Sequence, residues 1–198
     1  MLRCAVFLLL VPVLLCSQST NLDAIKPYQD GEVYNVYSAV LEMEKTNSDP
    51  VIGDTTVSFN SCLASRSDAL VDAAIEDYKK ANRSRWHLGY HFETKRPYKL
   101  ISKKEADELL QPDKKTGTWD FSPSDGIHHF SAVGFSADKS IAFVEMDVVC
   151  GGLCGHGGPF ILQKQKGKWV EYIPSHAHTE NPDGSVTVSG LTICGWVY

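Results

Sequence analysis

The sequence predicts an α+β domain in which N-terminal helices pack on a C-terminal antiparallel β-meander. Two stretches of helical period lie within the first 82 residues, the apolar period changes to two after residue 126, and turn-forming segments punctuate the later apolar runs. Of 198 residues, 43% are hydrophobic and 22% charged, with 15 Gly and 9 Pro, which excludes a disordered, collagenous or coiled-coil chain.

The chain begins with Arg3, an apolar run over 5–15 that contains Pro12, and the polar Ser17-Gln18-Ser19. The run is shorter than the roughly 20 residues a membrane-crossing helix needs, so residues 1–19 read as a secretory signal peptide cleaved after Ser17 or Ser19. Residues 20–198 then form a single domain, long enough to bury one core. The signal carries one base and no acid, leaving 18 basic against 24 acidic residues without a single-sign block. That balance disfavours nucleic acid and anionic membranes as partners, and no transmembrane segment follows the signal. The expected location is secreted or periplasmic. A lipid anchor through Cys16 is the alternative, although Leu15 stands where such sites carry a small residue.

The elements follow in order. Over 32–43, Val33, Val36, Tyr37, Val40 and Leu41 share a helical face, and Glu32 complements the dipole in the first turn. Asn47 to Pro50 ends that helix, and 51–59 reads as a strand interrupted by Gly53 and Asp54. Ser67 or Asp68 caps a second helix reaching Asn82, with Lys79 and Lys80 at its C-terminal end. Residues 86–92 alternate as a strand, 99–101 are a brief one, and Ser102 with Glu105 is a capping box opening a helix toward Leu110. Residues 111–118 read as a loop. Over 141–150, Ala142, Val144, Met146, Val148 and Cys150 occupy one face and Ile141, Phe143, Glu145, Asp147 and Val149 the other, the pattern of a half-buried strand. Strands over 160–164 and 169–173 flank a turn at 166–168, with Trp169 as core anchor. A turn at 181–184 precedes strands over 186–189 and 191–198.

Cys4 and Cys16 leave with the signal, so Cys62, Cys150, Cys154 and Cys194 remain, an even number suited to two disulfides in any of three connectivities. Cys150-Gly-Gly-Leu-Cys154-Gly-His156-Gly-Gly158 is the most unusual segment. Its main reading is a loop between strands with bridged cysteines. A zinc site would use Cys150, Cys154 and His156 with His176 or His178. A thiol nucleophile would pair Cys154 with His156, and the glycine amides would otherwise form an anion-binding nest. His128 and His129 should point to opposite faces of a strand, and His87 and His91 read as polar-face residues. Asp54, Asp120, Asp125 and Glu145 are the acids expected near a cleft. No nucleophile elbow, phosphate loop or H-E-x-x-H occurs, and no cofactor is predicted. Asn82-Arg83-Ser84 has the form of a glycosylation acceptor, which a chain of this length carries about once by chance.

Phe130-Ser131, Val133-Gly134-Phe135-Ser136, Asp138-Lys139, the Cys150–Gly157 segment, and Leu162, Lys164 and Gly167-Lys168-Trp169 form a recurring combination. The chain thereby resembles a loosely defined family of small secreted bacterial proteins with no assigned activity. The resemblance implies a bacterial source and a single-domain plan, and no functional residue. The function expected from the sequence is an exported, non-catalytic globular module that binds a ligand or partner. The alternative is a hydrolase or metal-dependent enzyme centred on Cys150, Cys154 and His156.

Overall fold

A computed structural model describes residues 25–44, 48–59, 68–112, 114–117, 126–151 and 154–172, and the backbone of 178–180, 186–188, 191–193 and 196–197. Residues 1–19, expected as a signal peptide, and Cys62, His176, Asp120, Asp125 and Cys194 lie outside the described residues. In chain order the elements are β1 (Lys26–Pro27), α1 (Gly31–Met43), β2 (Val51–Gly53), α2 (Ala69–Ala81), β3 (Trp86–His87), β4 (Lys99–Ile101) and α3 (Lys103–Leu109). Strands follow: β5 (Ile127–Phe130), β6 (Gly134–Phe135), β7 (Ile141–Gly151), β8 (Cys154–Gln165), β9 (Lys168–Glu171), β10 (His178–Glu180), β11 (Val186–Val188), β12 (Leu191–Ile193) and β13 (Trp196–Val197).

Local chemistry sets the helix ends. The Asp30 carboxylate accepts from the Glu32 amide to open α1, and Asp68 accepts from the Leu70 and Val71 amides to open α2. Ser102 and Glu105 close the expected capping box on α3. Between β8 and β9, Lys166 and Gly167 both take positive φ, the geometry of a tight two-residue hairpin turn that matches strand twist.

The α+β class holds, and the sheet is mixed where an antiparallel meander was expected. Its central order is β13-β8-β7-β5-β2-β4, with β6 also on β7 and β9 also on β8. Strands β5, β7, β8, β9 and β13 are antiparallel, whereas β2 runs parallel to both β4 and β5. Parallel neighbours need a crossover connection, and α2 lies in the connection from β2 to β4. The early helices are therefore interleaved with strands of the same sheet. Strands β10, β11 and β12 form a separate antiparallel sheet, and β1 pairs β3 in parallel. Of the strand expected over 86–92, only β3 forms; of that over 51–59, only β2, which ends at Gly53 as the interruption there suggested.

Helix α1 covers one face, where Val33, Val36, Tyr37, Val40 and Leu41 meet Ile52, Phe130, Val144, Met146, Val148 and Trp169. Helix α2 covers the other, where Val71, Ala74, Ile75 and Tyr78 meet Ile141, Phe143 and Ile161. Helix α3 places Ala106 on Ile101 and Ile127 farther along that second face. Strand β7 is thus buried on both faces, not half-buried. Glu145 is only 4% exposed, and the Tyr78 hydroxyl donates to its carboxylate. Asn82 is a structural clamp: its amide donates to the Tyr78 and Ala132 carbonyls and accepts from the Ala132 N–H.

Candidate functional site

The second face carries polar groups in the span between the apolar patches under α2 and α3. Strand pairing sets His129 of β5 opposite Asp147 of β7, with side chains on the same side of the sheet. Next in register beyond His129 lies Gly53 of β2. A Cβ on Gly53 would stand 2.9 Å from His129 Nδ1, so the imidazole occupies space that only glycine leaves open. The neighbouring His128 points to the opposite face, as expected of adjacent strand residues, which is the face that α1 covers, with Nδ1 3.2 Å from the Val51 carbonyl oxygen.

Burial dominates the electrostatics. Desolvation pushes the Asp147 carboxyl up to about 7 against the opposing pull of the His129 backbone amide. Its Oδ1 is buried without a hydrogen-bond partner among the described residues. Desolvation also lowers the His129 pKa, aided by His128 and Lys103 and opposed by Asp107. Burial thus shifts both groups toward their neutral forms, the imidazole by lowering its pKa and the carboxyl by raising its own into the neutral range.

His129 forms one wall of a cleft of about 250 Å³ between α3 and the segment after β2. Val57, Ala106 and Leu110 make its apolar lining, and Asp54, Arg85, Lys103 and Asp107 are polar. Lys103 and Asp107 pair with each other at 2.8 Å. Asp54 accepts from the Thr55 hydroxyl at 2.9 Å and lies 3.9 Å from His87 Nδ1. Arg85 has no ion-pair partner among the described residues. The cleft thus offers a carboxylate, a guanidinium and a neutral imidazole around an apolar floor, the composition of a small-molecule site.

The glycine-rich segment is built differently. Cys150 and Cys154 are bridged, with Cα atoms 5.0 Å apart, and β8 starts at Cys154, so Gly155 to Gly158 lie within a strand. The bridge removes both sulfurs as zinc ligands and Cys154 as a thiol nucleophile. His156 pairs with Val148 in register and lies 3.5 Å from Glu44 at the end of α1. His178 is known only as a backbone position opposite Val188. Among the described residues, no group of three or more His, Cys, Asp or Glu side chains is arranged to hold a metal ion, and no helix is long and apolar enough to cross a membrane.

Of the acids expected near a cleft, Asp54 reaches one and Glu145 is sequestered under α2. His129 and Asp147 were missed, because alternation assigned Asp147 to a solvent face that α2 and α3 flank. The signal was present in the adjacent Glu145 and Asp147 on an otherwise apolar strand of eleven residues. No family model, curated protein or solved structure matches the chain.

Proposed function

We propose that this chain is an exported, non-catalytic binding module. Residues 1–19 direct its secretion, and the domain holds a small molecule in the His129 cleft. The observation that supports this most is the polar set on an apolar lining: Asp54, Arg85 and His129 converge where Gly53 has made room for the imidazole. A ligand with an apolar body and a charged head suits this lining, with Arg85 taking an anionic group and Asp54 a cationic one. The resemblance to small secreted bacterial proteins supports a bacterial origin, and the Cys150–Cys154 bridge suits an oxidising compartment.

Thermal unfolding of the purified domain with aliphatic and aromatic amino acids, short-chain carboxylic acids and alkylamines tests this reading. At least one class should raise Tm, and His129→Ala or Gly53→Val should abolish the shift. Failure of every class to shift Tm sinks it. A chain secreted with residues 1–19 still attached sinks the export component.

A further inference from the structure

On the α1 side of the molecule, away from the His129 cleft, Tyr90 is 69% exposed, the largest exposure among the large hydrophobic residues described. It stands at the apex of a three-residue turn closed by the His91 N–H donating to the Gly89 carbonyl at 2.9 Å. The turn is firmly tied down. The Gly89 amide donates to the Tyr34 hydroxyl at 2.8 Å, and the Glu93 amide donates to Ser38 Oγ at 2.8 Å. Between them Phe92 is buried in the core. The Tyr90 ring itself stacks on Tyr98, with centroids 5.8 Å apart and planes 28° apart. An aromatic ring so exposed and yet so fixed gains little from folding, and its ordering is complete before anything binds.

This ring borders an open groove of about 540 Å³ beside the first turns of α1, within the range of small-molecule sites. The polar residues that line it are Gln29, Asn35, whose side chain also hydrogen-bonds the Glu32 carboxylate, His91 and Glu93. We propose that this groove is a saccharide-binding site in which the Tyr90 ring stacks on a pyranose face and Asn35 and Glu93 hydrogen-bond its hydroxyls.

The chemistry selects that class over others. A pyranose presents a face of C–H groups whose partial positive charge suits the negative face of an aromatic ring. Its hydroxyls both donate and accept, which matches a carboxylate acceptor beside amides that do both. A nucleic acid strand would also stack on tyrosine, but it requires cations for its phosphates, and this groove contains neither Lys nor Arg and has Glu93 on its wall. A lipid chain would cover the Gln29 amide and the Glu93 carboxylate without offering either a hydrogen bond.

The test is titration calorimetry of the domain with tri-N-acetylchitotriose, cellotriose and maltotriose, with a dT oligonucleotide as comparison. At least one trisaccharide should bind. Tyr90→Ala should raise Kd at least tenfold, Tyr90→Trp should retain binding, and Glu93→Gln should weaken it several-fold. His129→Ala should leave saccharide binding unchanged, which separates this site from the proposed cleft. Tyr90 and Glu93 are exposed, so unchanged circular dichroism should accompany each variant. No binding of any trisaccharide, binding unaffected by Tyr90→Ala, or binding of the oligonucleotide in their place would overturn the proposal.

Discussion

Asp147 stands opposite His129 across β7 and β5, and burial drives the pKa values of both toward their neutral forms. The carboxyl has an unfolded value near 3.8 and a folded value of about 7, so the folded state holds a proton that the unfolded state releases between them. Stability contributed by this group is present below about pH 4, falls as pH rises through that interval, and levels off above about 7. Asp147→Asn should remove the decline, stabilising the domain at pH 8 relative to wild type by about 2–4 kcal/mol more than at pH 4. Urea unfolding of both proteins across that range checks the slope, and parallel curves would contradict it.

Gly134 touches α2 backbone to backbone, with the ideal Cβ position in overlap with the Tyr78 amide and the Ala74 carbonyl. Neither group can yield without unwinding α2. Gly134→Ala is expected to cost about 3 kcal/mol or more, because a methyl has no vacant direction there. Gly31→Ala, where nothing lies within 4 Å, should be neutral or mildly stabilising. Denaturant midpoints of the two variants make a direct contrast.

Trp169 is 7% exposed on the α1 face, and its indole N–H donates to Glu32 Oε1 at 2.5 Å while Lys164 donates to the same oxygen at 2.8 Å. Burial alone would raise the Glu32 pKa; these two hydrogen bonds, the Lys164 charge and a further hydrogen bond from Asn35 together outweigh it and hold the carboxyl below its ordinary value. Trp169→Ala should cost about 3–5 kcal/mol through the lost ring, and Trp169→Phe about 1–2 kcal/mol, chiefly through the lost indole donor. Equal losses would mean that the hydrogen bond, not the packing, carries the anchor.

The Cys150–Cys154 bridge spans four positions, so it restricts the unfolded chain little. Replacing both by Ser should cost about 2 kcal/mol or less. Ligand binding in the His129 cleft should persist, since neither sulfur borders it. Equilibrium unfolding and the same ligand panel measure the two effects separately.

Local signals in the sequence were legible because they act over a few residues: the Asp68 cap, the Ser102–Glu105 box, the Lys166-Gly167 turn and the face carrying Val33, Val36, Tyr37 and Val40. The insertion of β2 between β4 and β5 was not, because it depends on pairing Ile52 with His128 and Leu100, partners far away in the chain. The same distance hid the site. Asp54 could be singled out as an acid beside a glycine, but the need of His129 for the space above Gly53 exists only once two parallel strands are in register. Glu145 and Asp147 imitate a wetted strand face, and the Tyr78 hydroxyl that buries Glu145 comes from a helix some 67 positions earlier.

Strand β2 has both of its ladder neighbours later in the chain, whereas β7, β8 and β9 pair with successive neighbours through short connections. A chain emerging N-terminus first consequently cannot assemble the centre of its sheet until β5 has followed. The β7–β8 and β8–β9 hairpins supply contacts of low sequence separation, which close at little cost in loop entropy, whereas pairing β2 with β5 must close a loop of more than seventy residues.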